Sequence, residues 1–63
     1  MEKNWAFALN ERVKLATSDE AGTVIGRAEY NDGSPDNFYV IYQAGDGRQV
    51  KAWWNAGDMI ALG

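Results

Sequence analysis

The chain contains neither cysteine nor histidine, and these two absences exclude much of protein chemistry. Without cysteine no disulfide can form, and without either residue the usual ligand sets of a structural zinc site are missing. The catalytic arrangements that pair a serine or a cysteine with an imidazole are excluded as well. Any catalysis would need carboxylates, tyrosines, lysines or a bound cofactor.

Basic residues and long apolar runs are also scarce. Six lysines and arginines stand against nine acidic residues, so the net charge is −3. This balance disfavours general affinity for nucleic acid, which needs a basic face that displaces counterions. No apolar run approaches the roughly 20 residues of a membrane helix, and the first residues show no charged-then-apolar signal pattern. We therefore expect a cytoplasmic domain with no membrane partner.

The length of 63 residues predicts a single domain over 1–63 with one small core. A chain of this size buries only about 60% of the surface that it exposes when unfolded, and here no disulfide or zinc ion assists it. Aromatic residues make up 13% of the sequence, and each can bury roughly 150–250 Å². Tight aromatic packing or association between copies must supply the stability, so we expect a homo-oligomer.

Alternating apolar residues between regularly spaced turn formers predict short strands. A lead-in segment covers residues 1–10, polar turn formers fill 17–22 and 31–37, and Asp46-Gly47 suits a tight hairpin. No segment has the 3.6-residue apolar period of a helix. The predicted strands are Arg12–Ala16, Thr23–Tyr30, Phe38–Gln43, Gln49–Trp54 and Met59–Leu62, with one helical turn over Asn55–Asp58.

Two glycines in the second strand indicate sharp curvature. Gly22 opens the strand and Gly26 interrupts it, as expected where a strand must bend. Short strands and frequent turns in so small a chain are typical of closed or curled sheets. The segment from Gly22 to Gly26 resembles the opening of SH3-like barrels, including KOW and Tudor-type modules. We therefore predict an all-β fold, an SH3-like five-stranded small barrel with one short helical turn before the last strand.

In each strand one parity should face the core and the other should face water. The even parity of the second strand is predicted to point inward, which leaves Arg27 outside. The alternative is that Gly26 reverses the parity of this strand. The other residues predicted to point inward are Phe38, Val40 and Tyr42 in the third strand, and Val50, Ala52 and Trp54 in the fourth.

The outward parity keeps apolar residues on three neighbouring strands. A contiguous apolar patch on an outer sheet face usually marks an interface or a ligand groove. If the parity of the second strand is reversed, some of these side chains belong to the core instead. We predict an interface with another copy or with an unknown protein partner at Ile25, Tyr39, Ile41, Lys51 and Trp53.

A second candidate surface is basic. Arg12, Lys14 and Arg27 all lie in predicted strands and could contact nucleic acid together with Lys51, although the net charge does not favour it. An aromatic residue such as Tyr39 or Trp53 would then stack on a base.

Most of the chain after Asn10 resembles the plasmid-borne type II dihydrofolate reductases. These enzymes are SH3-like barrels of similar size that form tetramers around a central active-site pore, where a Val-Gln-Ile-Tyr strand binds folate and NADPH. The matching strand here reads Val50-Lys51-Ala52-Trp53, so the resemblance implies the fold without the active-site motif. The matching residues are Glu11-Arg12-Val13-Lys14, Gly22-Thr23-Val24-Ile25-Gly26, Tyr39-Val40, 47–50 and Met59-Ile60.

Together these patterns favour a non-enzymatic small β-barrel interaction module that self-associates through its outer apolar face. We expect no catalytic residues, no metal and no cofactor. The alternatives are an enzyme like the type II dihydrofolate reductases and a KOW-type nucleic-acid-associated module. Small barrels of this appearance also occur in phage and mobile-element genes, which favours such an origin.

Overall fold

The computed structural model of the chain describes residues 3–18 and 20–62. Asp19 and the first two residues of the lead-in segment lie outside this part. The described residues form five antiparallel strands and one 3-10 turn, as predicted for an all-β fold with a helical turn before the last strand. In chain order these are β1 (Arg12–Leu15), β2 (Ala21–Ala28), β3 (Asn37–Gln43), β4 (Gln49–Asn55), the 3-10 turn (Ala56–Asp58) and β5 (Met59–Ala61).

Within the described residues, no helix has the length and apolar character needed to cross a membrane.

The strands form one sheet in the order β4-β3-β2-β1-β5, so β1 pairs with both β2 and the last strand. In the described part of the chain β4 and β5 are the two edges, and the hydrogen-bonded sheet is not closed. The sheet curls, because a single hydrophobic cluster takes side chains from every strand. The fold is therefore a curled five-stranded antiparallel sheet that is open between β4 and β5. The buried residues of its core are Phe7, Val13, Val24, Phe38, Val40, Trp54 and Met59.

The lead-in segment covers part of this core. Phe7 is only 8% exposed, and its ring meets the ring of Phe38 edge-on with the centroids 5.3 Å apart. Trp5 makes a similar edge contact with Phe38 at 6.0 Å. The alternation of apolar residues in this segment therefore serves core packing, although these residues lie outside the sheet.

A β-bulge at Ile25 reverses the parity of β2. Val24 pairs with Val40, but the next pair joins Gly26 to Tyr39, so Ile25 is an additional residue without an opposite partner. Directly paired residues share a sheet face. Arg27 lies opposite Phe38 and so faces the core side. The prediction that Arg27 points outward is wrong, and the alternative of a reversed parity is confirmed.

Gly22 lies on β2 directly opposite Tyr42 of β3, where an added side chain would collide with β3. A Cβ atom built on Gly22 would lie 2.4 Å from the carbonyl oxygen of Ile41 and 2.9 Å from the Cβ atom of Tyr42. Real Cβ atoms do not approach backbone so closely, so this position requires glycine. The pairing of β2 with β3 at this position thus depends on the absence of a side chain at Gly22.

Candidate interaction surface

The outer face of β2, β3 and β4 contains a row of three directly paired residues, Gly26, Tyr39 and Trp53. The rings of Tyr39 and Trp53 are stacked, with centroids 4.6 Å apart and planes inclined by 31°. Gly26 leaves room for this arrangement, because a Cβ atom there would lie only 3.2 Å from the Cβ atom of Tyr39. Tyr39 is half-buried, whereas Trp53 on the edge strand is 53% exposed.

A second row runs beside the aromatic one and crosses four strands. It consists of Arg12 on β1, Thr23 on β2, Ile41 on β3 and Lys51 on β4. Neighbouring strands lie about 4.8 Å apart, so about 14 Å of sheet, measured along its curved surface, separates the two cationic residues at the ends of the row. A hydroxyl and an aliphatic side chain lie between them. The row therefore offers apolar surface with a positive charge at each end.

A shallow groove of about 460 Å³ adjoins this second row at the end of the sheet near the β3–β4 hairpin. Its walls combine apolar, amide and hydroxyl groups, and among the described residues that line it Arg12 alone is charged. The groove is lined by Arg12, Ala21, Gly22, Thr23, Ile41, Tyr42, Gln43, Gly47 and Gln49.

The structure thus brings together four of the five predicted interface residues, Tyr39, Ile41, Lys51 and Trp53, on one face. The fifth, Ile25, is the additional residue of the bulge and is 40% exposed. The parity reversal therefore does not move Ile25 or Trp53 into the core.

The three predicted nucleic-acid contacts are not brought to one place. Arg12 joins the outer face, and Lys14 follows on the same face of β1 opposite Ala21 and Ile60. Arg27 lies on the core side of β2, which separates it from the other two.

Arg27 belongs instead to a cluster around Trp5 that the sequence did not predict. The guanidinium carbon of Arg27 lies 4.6 Å from the Trp5 ring centroid, and Lys3 Nζ lies 5.0 Å from it. Lys3 Nζ also donates hydrogen bonds to Glu29 Oε2 at 2.8 Å and to Asp36 Oδ1 at 3.0 Å. These two bonds raise the pKa of Lys3 above its ordinary value of 10.5. Through these contacts the cluster holds the lead-in segment against β2 and the loop that follows it.

The residues that resemble the reductase motif in sequence lie on β4. Its register with β3 places Val50 and Ala52 opposite Tyr42 and Val40, on the core side. Lys51 and Trp53 lie on the outer face. The two residues that differ in kind from the family motif, Lys51 and Ala52, therefore occupy opposite faces of the strand.

Comparison of the chain with protein-family models, with curated proteins and with solved structures finds no match. The resemblances to type II dihydrofolate reductases and to KOW modules stay predictions from the residues.

Proposed function

We propose that the chain is a non-enzymatic interaction module that self-associates through its outer face, defined as Tyr39, Ile41 and Trp53 with Ile25 and Lys51 at the margin. The observation that carries the proposal is the contrast between two consecutive tryptophans. Trp54 is 6% exposed in the core, whereas Trp53 is 53% exposed and stacked on Tyr39. Burying apolar surface is favourable by about 25 cal/mol per Å², so a partner that covers this stacked pair gains binding free energy.

The composition of the outer face supports the proposal. Aromatic residues are enriched at the centres of protein interfaces, with polar residues around them. Here the aromatic row is accompanied by a row that ends in Arg12 and Lys51. A small domain without disulfides gains stability from a second copy, because association adds buried area that its own core cannot supply.

The proposal is tested by replacing Trp53 with lysine and measuring the solution mass by analytical ultracentrifugation over a wide concentration range. Leu9→Lys is the matched control, because Leu9 is a comparably exposed apolar residue in the lead-in segment. We expect the wild type and Leu9→Lys to show the same multimeric mass. Trp53→Lys should shift the mass to that of the monomer while the far-ultraviolet circular dichroism spectrum stays unchanged.

Two results would overturn the proposal. One is a wild type that stays monomeric at high concentration and whose Trp53 fluorescence is that of a fully hydrated indole. The Trp53 emission is obtained by subtracting the spectrum of the Trp53→Phe variant from that of the wild type. The other is a Trp53→Lys variant that keeps the wild-type mass.

A second candidate function is binding of single-stranded nucleic acid, as in a KOW-type module. The specific observation in its favour is that Arg12 and Lys51 end the row beside the stacked rings of Tyr39 and Trp53. In such sites, basic side chains typically contact the phosphate backbone of the nucleic acid while its bases stack on aromatic side chains. Its test is a salt-dependent mobility shift with single-stranded DNA and RNA, which Trp53→Ala and Arg12→Ala should each weaken.

A further inference from the structure

The backbone of β4 has one side free among the described residues, since β4 is an edge of the sheet. Hydrogen-bonded and non-hydrogen-bonded residue pairs alternate along an antiparallel pair of strands. Backbone bonds at both ends of the β3–β4 ladder reveal which pairs are which. Ala44 N–H donates to the carbonyl of Arg48 at 2.7 Å, and Ala56 N–H donates to the carbonyl of Asp36 at 3.4 Å.

Both bonds join even-numbered residues, so the even-numbered residues of β4 are the ones whose backbone groups are hydrogen-bonded to β3. The N–H and C=O groups of the odd-numbered residues therefore point to the open edge. The same residues carry their side chains on the outer face, because both properties alternate with a period of two. These residues are Gln49, Lys51, Trp53 and Asn55.

We propose that two copies of the chain join along β4 in antiparallel orientation, around a twofold axis at Ala52. This inference rests on the proposed self-association and places the two outer faces side by side in one continuous sheet, where the Trp53 side chain of each copy is covered by Lys51 of the other. In this register Lys51 faces Trp53 of the second copy, and Gln49 faces its Asn55. All four edge-facing residues then exchange backbone hydrogen bonds with the second copy.

Charge and hydrogen-bond count select this register over its two neighbours. An axis at Lys51 would place the two lysine ammonium groups opposite each other, and like charges directly opposite are unfavourable. An axis at Trp53 would leave Gln49 without an opposite strand residue. With the axis at Ala52, the ammonium of Lys51 lies at the exposed indole of Trp53 of the second copy, which gives a cation–π contact.

The residue on the axis also fits. Ala52 would meet its own copy in a non-hydrogen-bonded pair, where Cα atoms approach to about 4.5 Å and side chains crowd each other. A methyl group is accommodated there. The rows of the outer face would also join, because the aromatic row of one copy continues into Lys51 and Ile41 of the other. The opposite edge, β5, offers only three residues for such pairing.

The first test removes an edge-facing donor without touching the β3 ladder. Lys51→Pro deletes an N–H that points to the open edge, and proline is tolerated on edge strands. Ala61→Pro is the matched control, because the bonds from Ala16 N–H to Asp58 and from Leu62 N–H to Arg12 place the Ala61 N–H on the free side of β5. Lys51→Ala controls for loss of the side chain.

We expect Lys51→Pro to weaken dimerisation at least tenfold by analytical ultracentrifugation. Ala61→Pro should dimerise as the wild type does, and Lys51→Ala, which loses the cation–π contact but keeps the backbone N–H, should weaken dimerisation less than Lys51→Pro does.

The second test reads the register directly. The chain has no cysteine, so a single introduced thiol can only link two copies. The expected Cα distance at the axis, about 4.5 Å, falls within the range that a disulfide spans. We expect Ala52→Cys to form a covalent dimer under mild oxidation. Val50→Cys, the matched control on the same face of β4, should stay monomeric in denaturing electrophoresis.

The outcomes separate this inference from the proposed function. A dimer that is sensitive to Trp53→Lys but insensitive to Lys51→Pro, with no cross-link through Ala52→Cys, overturns the β4 pairing and leaves self-association standing. A cross-link through Val50→Cys instead overturns the register. A monomeric wild type overturns both proposals. If Lys51→Pro fails to fold, the cysteine pair alone decides.

Discussion

Arg27 and Phe38 lie directly opposite each other on β2 and β3, so a guanidinium group occupies the core side of the sheet. Trp5 covers both residues, with its ring centroid 4.6 Å from the guanidinium carbon of Arg27 and 6.0 Å from the ring centroid of Phe38. The bulge at Ile25 causes this arrangement because it reverses the parity of β2. The lead-in segment then supplies the aromatic surface on which the charged group can lie.

The contact between Trp5 and Arg27 should contribute measurably to stability. We expect a double-mutant cycle of Trp5→Leu and Arg27→Met to give a coupling free energy of about 0.5–1 kcal/mol in urea unfolding. The same cycle with Arg48→Met in place of Arg27→Met is the control, because Arg48 lies in the β3–β4 hairpin and pairs with Asp46. Equal coupling in both cycles would contradict the assigned contact.

Gly22 should be the glycine that is least tolerant of substitution. We expect Gly22→Ala to lower the free energy of unfolding by about 3 kcal/mol, because the new methyl group would collide with the backbone of Ile41 and strand β3 would have to move. Gly45→Ala is the control, since nothing lies within 4 Å of a Cβ atom there. The urea midpoint of each variant measures the effect.

Gly26→Ala should fall between these two, because a Cβ atom at Gly26 meets the side chain of Tyr39 at 3.2 Å rather than backbone. A Gly22→Ala variant as stable as the Gly45→Ala variant would show that β2 and β3 do not approach as closely as the structure has them.

Strand positions and turns were predictable from the sequence because each follows from local patterns. The apolar period of two, the cluster of turn formers before Asn37 and the Asp46-Gly47 pair all act within a few residues of where they occur. The strand bounds accordingly agree with the structure to within about two residues. The bulge at Ile25 is different, because it depends on the register between β2 and β3. Gly26 indicates that the strand bends, but it does not indicate which side chains face the core after the bend.

On the outer face, too, some positions follow from local sequence patterns and others depend on strand register. Tyr39, Ile41 and Trp53 could be placed together because β3 and β4 form a simple hairpin, in which an alternating pattern fixes the faces. The addition of Arg12 to the outer face and the loss of Arg27 from it both depend on the register of β2 with its two neighbours. Register depends on contacts between segments that are distant in the sequence. An alternating apolar pattern that is interrupted by a glycine does not determine it.

Asp32 should make stability depend on pH in the acid range. Its carboxylate accepts hydrogen bonds from Ser34, including the backbone N–H at 2.9 Å, and these bonds hold the pKa of Asp32 below its ordinary value of 3.8. The stabilisation is therefore present above pH 3.8 and is lost as the pH falls through the lowered pKa. We expect Asp32→Asn to be less stable than the wild type at pH 7.

The difference between Asp32→Asn and the wild type should vanish below the lowered pKa. A carboxyl titration followed by nuclear magnetic resonance provides the direct measurement. Ser34→Ala is the matching variant, because removal of its hydroxyl should move the Asp32 pKa back toward 3.8. An unchanged Asp32 titration in Ser34→Ala would contradict this assignment.

The neighbouring residues Trp53 and Trp54 should respond to alanine substitution in different ways. Trp54 is buried and its ring lies 5.3 Å from that of Tyr42, so Trp54→Ala should cost about 3–5 kcal/mol at any protein concentration. Trp53 should stabilise the fold mainly through association, whose contribution depends on concentration. In urea unfolding, Trp53→Ala should therefore lower the midpoint at high concentration and change it little at high dilution. A loss from Trp53→Ala that is large and equal at both concentrations would place Trp53 in the fold of the single chain.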